Sequence, residues 1–264
     1  MKIKLSVCIP AYNEEKNLKY SLGSVYDLAD EVIIINPGST DRTAEVAQSY
    51  GKKVKIFNTD NPPNFLVNKQ RAIEKAKGEW ILQLDADEQL TPALKEEIRN
   101  IVFGKDKQLK KYVGFWMARK NFFLIKFLEK GGVYPDYVLR LYRRKKGRFQ
   151  LKDIHENVKV EGLVGYLKND LLHYSDLDFS RYLLRWDRYT SFDAKQAIQE
   201  GKKLSFLNYF FWKPLKTFFL MFFRHKGFMD GFPGFVFALF SAIRFWVIYI
   251  KWWQKWRNNI KHKT

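Results

Sequence analysis

The stretch GEWILQLDADE, residues 78–88, sets an apolar run directly against three acids. Trp80 to Leu84 reads as a short buried strand: five mostly apolar residues opened by Gly78. Asp85 and Asp87 follow with no Lys or Arg beside them in sequence. In extended chain, residues i and i+2 face the same side, roughly 7 Å apart, so the two carboxylates are expected to repel unless a cation lies near them. Capping of the next helix does not require them, because Thr91 is a good N-cap, Pro92 suits the first helical position, and Glu96 and Glu97 fall in the early turns. The acids are therefore expected to share a crevice with a divalent ion, which requires that neither be locked to a basic partner.

Moving outward, the first hundred residues alternate strand and helix. Strands are expected at Leu5–Pro10, Glu31–Ile35, Val54–Phe57 and Trp80–Leu84. Helices are expected at Glu15–Tyr26, from the caps Ser39, Thr40 and Asp41 to Gly51, and at Leu66–Lys77. Near-continuous apolar strands separated by helices imply an α/β fold: a mostly parallel sheet covered on both faces, with right-handed crossovers. Ligands of such sheets bind beyond the carboxyl ends of the strands. Those ends lead here into IPAYNEE, NPGSTD, NTDNPPN and DADE, an oxygen-rich set of loops suited to a phosphorylated ligand held through Mg²⁺ or Mn²⁺.

At 264 residues and 46% hydrophobic, the chain is long and apolar enough for a proper core. Cys8 is the only cysteine, which excludes an internal disulfide or a cysteine zinc site and suits a reducing compartment. No secretory leader is read at the start. The formal charge of +19 is uneven: residues 1–100 carry 14 Lys and Arg against 15 Asp and Glu, and residues 101–264 carry 33 against 13. A basic second half attracts a polyanion, whether nucleic acid, anionic membrane or phosphorylated substrate.

SVCIPAYNEE, NPGSTDRT and WILQLDADE, in this order and spacing, resemble the nucleotide-binding half of family 2 glycosyltransferases of the GT-A (Rossmann-like) fold. VLRLYRRKKGRFQLKDIHENV, LLHYS and HKGFMDGFPGFVFALFSA resemble the small lipopolysaccharide-core glucosyltransferases, so the likeness covers most of the chain. It implies a catalytic domain over 1–200, with a nucleotide-binding half at 1–100 and an acceptor half at 101–200, followed by a helical region at 201–264. It further implies that Pro10, Ala11, Tyr12 and Glu14 wrap the base and ribose, with Tyr12 against the base. Asn36 stands where the family usually has Asp, and Pro37 where it has Ser; Asn keeps an acceptor and gains a donor, so base preference is open to change. Gly38 would offer backbone amides, and Lys69 stands for a family Arg. Asp85 would lie nearer the ribose or a metal-bound water, with Ala86 in the same nucleotide-sugar site; Asp87 would hold the cation directly, and His173 would complete the metal or diphosphate site. Glu156 is the implied base that takes the acceptor proton, with Asp153 as runner-up and no catalytic role for His155. Gly131 and Gly132 would form a turn leading Tyr134, Asp136 and Arg140 toward the pocket. The implied reaction is inverting, metal-dependent transfer of a hexose, with glucose as candidate, from a nucleotide-diphosphate sugar (a UDP-sugar first) to a lipid-linked glycan such as lipopolysaccharide core. A polyprenyl-phosphate acceptor is the alternative, and a nucleic-acid-binding or nucleotidyl-transferring protein the rival from another class.

From Leu204 the composition shifts to Phe, Trp, Leu and Lys. Lys213, Pro214, Lys216 and Arg244 interrupt the two apolar runs and argue against spanning. Ser241, Arg244, Lys251 and Lys255 fall on one helical stripe opposite Phe240, Ile243, Val247 and Ile250, with Trp252, Trp253 and Trp256 suited to headgroup level, so an aromatic amphipathic helical tail on a membrane surface is expected. Massed aliphatics and the lack of a nucleic-acid module argue against a nucleic-acid partner. The expected location is peripheral, on the cytoplasmic side of the inner membrane.

Overall fold

The computed structural model describes residues 2–62, 64–104, 108–151, 157–176 and 178–261. The chain begins β1 (Leu5–Pro10), α1 (Glu15–Val25), β2 (Glu31–Asn36), α2 (Thr43–Gln48), β3 (Val54–Asn58), α3 (Leu66–Lys75) and β4 (Trp80–Gln83). β5 (Glu88–Leu90), α4 (Pro92–Phe103), β6 (Gly114–Phe123), β7 (Lys126–Phe127) and β8 (Asp136–Arg143) follow. Then come β9 (Gly147–Arg148), β10 (Lys159–Val160), β11 (Val164–Tyr166), β12 (Leu171–Asp176), α5 (Phe179–Gln199), α6 (Lys213–Phe219) and α7 (Gly231–Lys261).

The main sheet runs β3-β2-β1-β4-β8-β6-β12-β5, with β11 and β7 pairing β6. β3, β2, β1 and β4 are mutually parallel, as their apolar alternation with helices implies. β8 then joins β4 antiparallel, β6 joins β8 antiparallel, and β5 joins β12 antiparallel. The parallel half ends where the crossover helices end: β8 carries Arg140 amid apolar residues, β6 carries Arg119 beside Lys120 and Asn121, and the antiparallel register brings Arg119 opposite Asp136.

Alternate residues of each parallel strand divide between two apolar layers. Leu5, Val7 and Ile9 with Val32, Ile34, Trp80 and Leu82 pack against Leu18 and Leu22 of α1 and Leu94 and Ile98 of α4. Cys8, Ile33, Ile35 and Ile81 pack against Leu66, Ala72 and Ile73 of α3. Both faces are covered, so these strands read as continuous apolar runs. Thr91 caps α4 by accepting the Leu94 N–H at 3.2 Å, with Pro92 in the first turn.

Residues 1–120 and 136–174 form one compact unit, and 121–135 with 175–264 another. In the second, α7 lies along α5. Arg244 pairs with Asp193 at 2.6 Å, and Lys251 pairs with Asp187 at 2.6 Å while donating to Thr190 and Ser191. Trp252 is buried, and its indole N–H donates to the Lys202 carbonyl at 3.1 Å. Phe240 packs on Phe179, Tyr182 and Trp186. The aromatic C-terminal helix is therefore present, but its expected polar stripe is only partly turned to water: Arg244 and Lys251 answer acids of α5, Phe240 sits on that same side, and Lys255 is exposed. Helical periodicity identifies a stripe without identifying its partner. By length and composition, Gly227–Arg257 could cross a membrane.

Candidate functional site

The carboxyl ends of β1 and β2 are tied into one loop system. Pro10 ends β1; Ala11 is buried, and its N–H reaches the Ile35 carbonyl at 2.9 Å. Asn13 takes the left-handed conformation at φ 54°, where its N–H meets Ser39 Oγ at 3.1 Å and its side-chain oxygen accepts from the Thr40 N–H at 2.8 Å. Asp41 accepts from the N–H groups of Glu15 and Thr43, so Asp41 and Ser39 fasten the loops from within. Glu14 accepts from the Asn17 side chain at 2.7 Å. Tyr12 is left 45% exposed, so one face of its ring is open to a planar ligand.

Asn36 and Asn58 are register partners at the ends of β2 and β3. Asn36 Nδ2 donates to Asn58 Oδ1 at 2.9 Å, and Asn36 Oδ1 accepts from the Ser39 N–H at 3.0 Å. An Asp at position 36 would accept from Ser39 equally well but could not donate to Asn58. Gly38, at φ +78°, permits the turn between them.

After β4 the chain does not stay extended. Residues 85–88 form a turn closed by the Glu88 N–H to the Asp85 carbonyl at 3.0 Å, which sends the two Asp side chains to different neighbours. Asp85 Oδ1 pairs with Lys69 Nζ at 2.6 Å, and its Oδ2 with Arg140 Nη2 at 2.5 Å. The same Arg140 nitrogen reaches Glu88 Oε1 at 2.6 Å, while Nη1 reaches Gln83 Oε1 at 2.6 Å. Glu88 is fully buried, also pairs with Arg119, and accepts the Asp85 N–H at 3.0 Å, so it holds the turn and both arginines. Arg119 carries on to Asp136 at 2.7 Å. Burial by itself would raise the Asp85 carboxyl, but Arg140 and Lys69 hold it well below the ordinary carboxylate range. Burial lowers the Lys69 ammonium from its ordinary value against the attraction of Asp85.

Asp87 has a different neighbour. Antiparallel pairing of β5 with β12 sets His173 opposite Glu88, and the Tyr174 N–H donates to the Asp87 carbonyl at 2.8 Å. His173 Nε2 then lies 3.5 Å from Asp87 Oδ1, with both side chains mostly buried. Among the described residues no group of three or more His, Cys, Asp or Glu converges. One carboxylate and one imidazole nevertheless fit a divalent cation that takes its remaining ligands from phosphate oxygens and water.

The expectation that Asp85 and Asp87 jointly face one ion is thus corrected. Asp85 is locked to Lys69 and Arg140, and Asp87 lies instead against His173. The assumption of extended chain failed because Glu88 closes a turn. Glu156, Asp153 and His155 lie outside the described residues. Gly131 and Gly132 both take positive φ, and the Gly131 N–H donates to the His225 carbonyl at 2.9 Å. Gln83, Glu88 and Arg119 carry the site's charge network without having been singled out in sequence. For Gln83 the signal was a polar residue inside an otherwise apolar strand, and for Glu88 a third acid directly after two others; Arg119, followed by Lys120 and Asn121, carried no such signal.

The sequence description of Glycosyl transferase family 2 matches residues 6–169. The chain is 31% identical over 259 residues to the lipopolysaccharide core biosynthesis glycosyltransferase LpsC of Rhizobium meliloti (strain 1021), covering 96% of this chain and 93% of that protein. It is 28% identical over 252 residues to an uncharacterized glycosyltransferase of Rickettsia bellii (strain RML369-C), covering 90% of this chain and 82% of that one. Among solved structures, S. aureus TarS 1-349 in complex with UDP-GlcNAc aligns with a TM-score of 0.49 at 16% identity, covering 95% of this chain and 88% of that one.

Proposed function

The chain belongs to glycosyl transferase family 2 and is a glycosyltransferase, and from that premise we propose that it moves a hexose from a nucleotide-diphosphate sugar to a hydroxyl of a lipid-linked glycan. One observation supports this reading above the others. Asp85 is held ionised between Lys69 and Arg140, one turn from the Asp87–His173 pair, beyond the carboxyl ends of parallel strands.

In this reading Tyr12 stacks on the base, with Pro10, Ala11 and Glu14 shaping the loop around it. Asn36, steadied by Asn58 and Ser39, and the backbone at Gly38 meet the base and ribose. Asp85 accepts from a ribose hydroxyl through Oδ2, which keeps a further lone pair beside Arg140, whereas Oδ1 already takes Lys69 and the Gln83 side-chain amide. Ala86 leaves room beside it, and Lys69 fixes its direction. Asp87 and His173 would hold a Mg²⁺ or Mn²⁺ ion, which when bound would offset the charge on the departing nucleoside diphosphate. Glu156 takes the proton from the acceptor hydroxyl as its oxygen attacks the sugar's anomeric carbon and the bond to the diphosphate breaks. One displacement from the opposite side inverts that carbon. Likeness to LpsC supports a lipopolysaccharide-core type of acceptor and an enzyme associated with the membrane; the cytoplasmic face is part of the proposal.

A thermal-shift panel of nucleoside diphosphates and their sugars, with Mn²⁺ or with chelator, tests the donor side. At a hundredfold excess over Kd the matching donor should add about 2.7 kcal/mol, which corresponds to about 5–10 °C at this chain length, and the Asp87→Ala variant should lose the metal-dependent part. Indifference to every nucleotide in both conditions would defeat the proposal.

A further inference from the structure

The second compact unit carries an apolar surface that its own packing leaves uncovered. On α7, Phe232, Phe235, Trp246, Ile250 and Trp253 are exposed, and at about 100° per residue they fall within roughly 60° of one another. Phe211, Leu215, Phe219 and Phe223, at a spacing of four, are exposed along α6 and its flanking turns. The two segments are joined face to face: Phe210 stacks on Trp246, whose indole N–H reaches the Phe210 carbonyl at 2.8 Å, and Phe218 and Phe222 both meet Phe235. Their exposed rows therefore belong to one pair of helices. An uncovered aromatic surface of this extent marks an interaction site.

Charge identifies what covers it. Residues 201–264 carry 12 Lys and Arg against one acid, Asp230, and that acid is buried, paired with Lys126 and bonded to the N–H groups of Glu129 and Lys130. Lys216, Arg224 and Lys226 are exposed among the aromatics. A second copy would bring the same positive charge against itself. An anionic headgroup layer over an acyl interior complements both the cations and the rings.

Immersion is limited by α5. The inner side of α7 is committed to it through Arg244–Asp193 and Lys251–Asp187, and Arg188 and Lys195 lie exposed on α5. A crossing α7 would have to carry those charges into the hydrocarbon or abandon both ion pairs. We infer that the α6–α7 pair lies in the plane of an anionic bilayer surface, immersed along its exposed aromatic row and not crossing the membrane. This deepens the membrane placement proposed above. Its readouts use no nucleotide, so a failed donor test and a failed docking test remain separate results.

The test is flotation of the full chain with vesicles of phosphatidylcholine alone or mixed with phosphatidylglycerol, at low and high salt, followed by alkaline carbonate extraction of cell membranes. The expected result is binding to the anionic vesicles, weakened by salt, with release by carbonate. The variant Lys216→Gln/Arg224→Gln/Lys226→Gln changes exposed side chains only, and should lower the partition coefficient on the order of a hundredfold, from roughly fivefold for each cation near the surface. Trp246→Ser/Trp253→Ser should weaken binding to the same vesicles while leaving its salt dependence unchanged. Equal binding to neutral and anionic vesicles with resistance to carbonate would mean spanning and overturn the inference. Flotation with neither vesicle, whether the chain scatters light as a monomer or a dimer, would overturn it too, as would a triple variant that binds within threefold of the parent.

Discussion

Replacing Arg140 by Met tests the charge network at its centre. The Arg140 side chain is 8% exposed, and its guanidinium serves Gln83, Asp85 and Glu88 at 2.5–2.6 Å. Removing one member of a buried ion network costs about 3–5 kcal/mol, because the partners stay buried and charged. Here Asp85 keeps Lys69 and Glu88 keeps Arg119, which places the cost near the lower end, at about 3 kcal/mol. With a urea m-value of about 2 kcal/mol/M, the unfolding midpoint should fall by about 1.5 M at constant m. Arg140→Lys should recover only part of this, since a point charge cannot span three acceptors. The pH dependence has a definite sign. The folded Asp85 carboxyl lies below its unfolded value of about 3.9, so its stabilisation is present above that pH and lost as pH falls toward the folded value. Without Arg140 the folded value rises toward the unfolded one, so the stability gap between parent and variant should narrow on going from about pH 5 to pH 2. A midpoint shift under about 0.5 M, or a gap that widens in acid, would refute the assignment of Arg140 as the partner that holds Asp85.

Glu156→Gln should lower transfer to acceptor by about 10²–10⁴-fold while nucleotide binding, read by thermal shift, stays within threefold of the parent; parallel loss of binding would remove Glu156 from the role of base. Thr91→Ala should cost about 1 kcal/mol in urea unfolding, because it removes the acceptor of the Leu94 N–H, and Thr91→Ser should restore most of it.

The parallel half of the sheet was legible because its signals are local. Alternate residues of β1, β2 and β4 enter two layers, so each strand had to be apolar throughout, and a strand of that kind between helices has few other placements. Thr91 and Pro92 announced α4 for the same reason, since a cap acts within one turn. The three loop motifs also carried the family, because the chemistry of each loop is written in consecutive residues.

What the sequence by itself determined was therefore the set of strands, helices and polar loops, and the kind of molecule that those loops belong to. Tertiary structure alone decided which charges meet. Asp85 finds Arg140 55 positions away across an antiparallel strand pair, and His173 reaches Asp87 only because β12 lies beside β5. Arg244 and Lys251 are drawn to α5 because Asp193 and Asp187 stand on it, 51 and 64 positions back. Side-chain periodicity fixes the direction in which a residue points relative to its own element, whereas an ion pair depends on which second element the fold brings within a few ångströms.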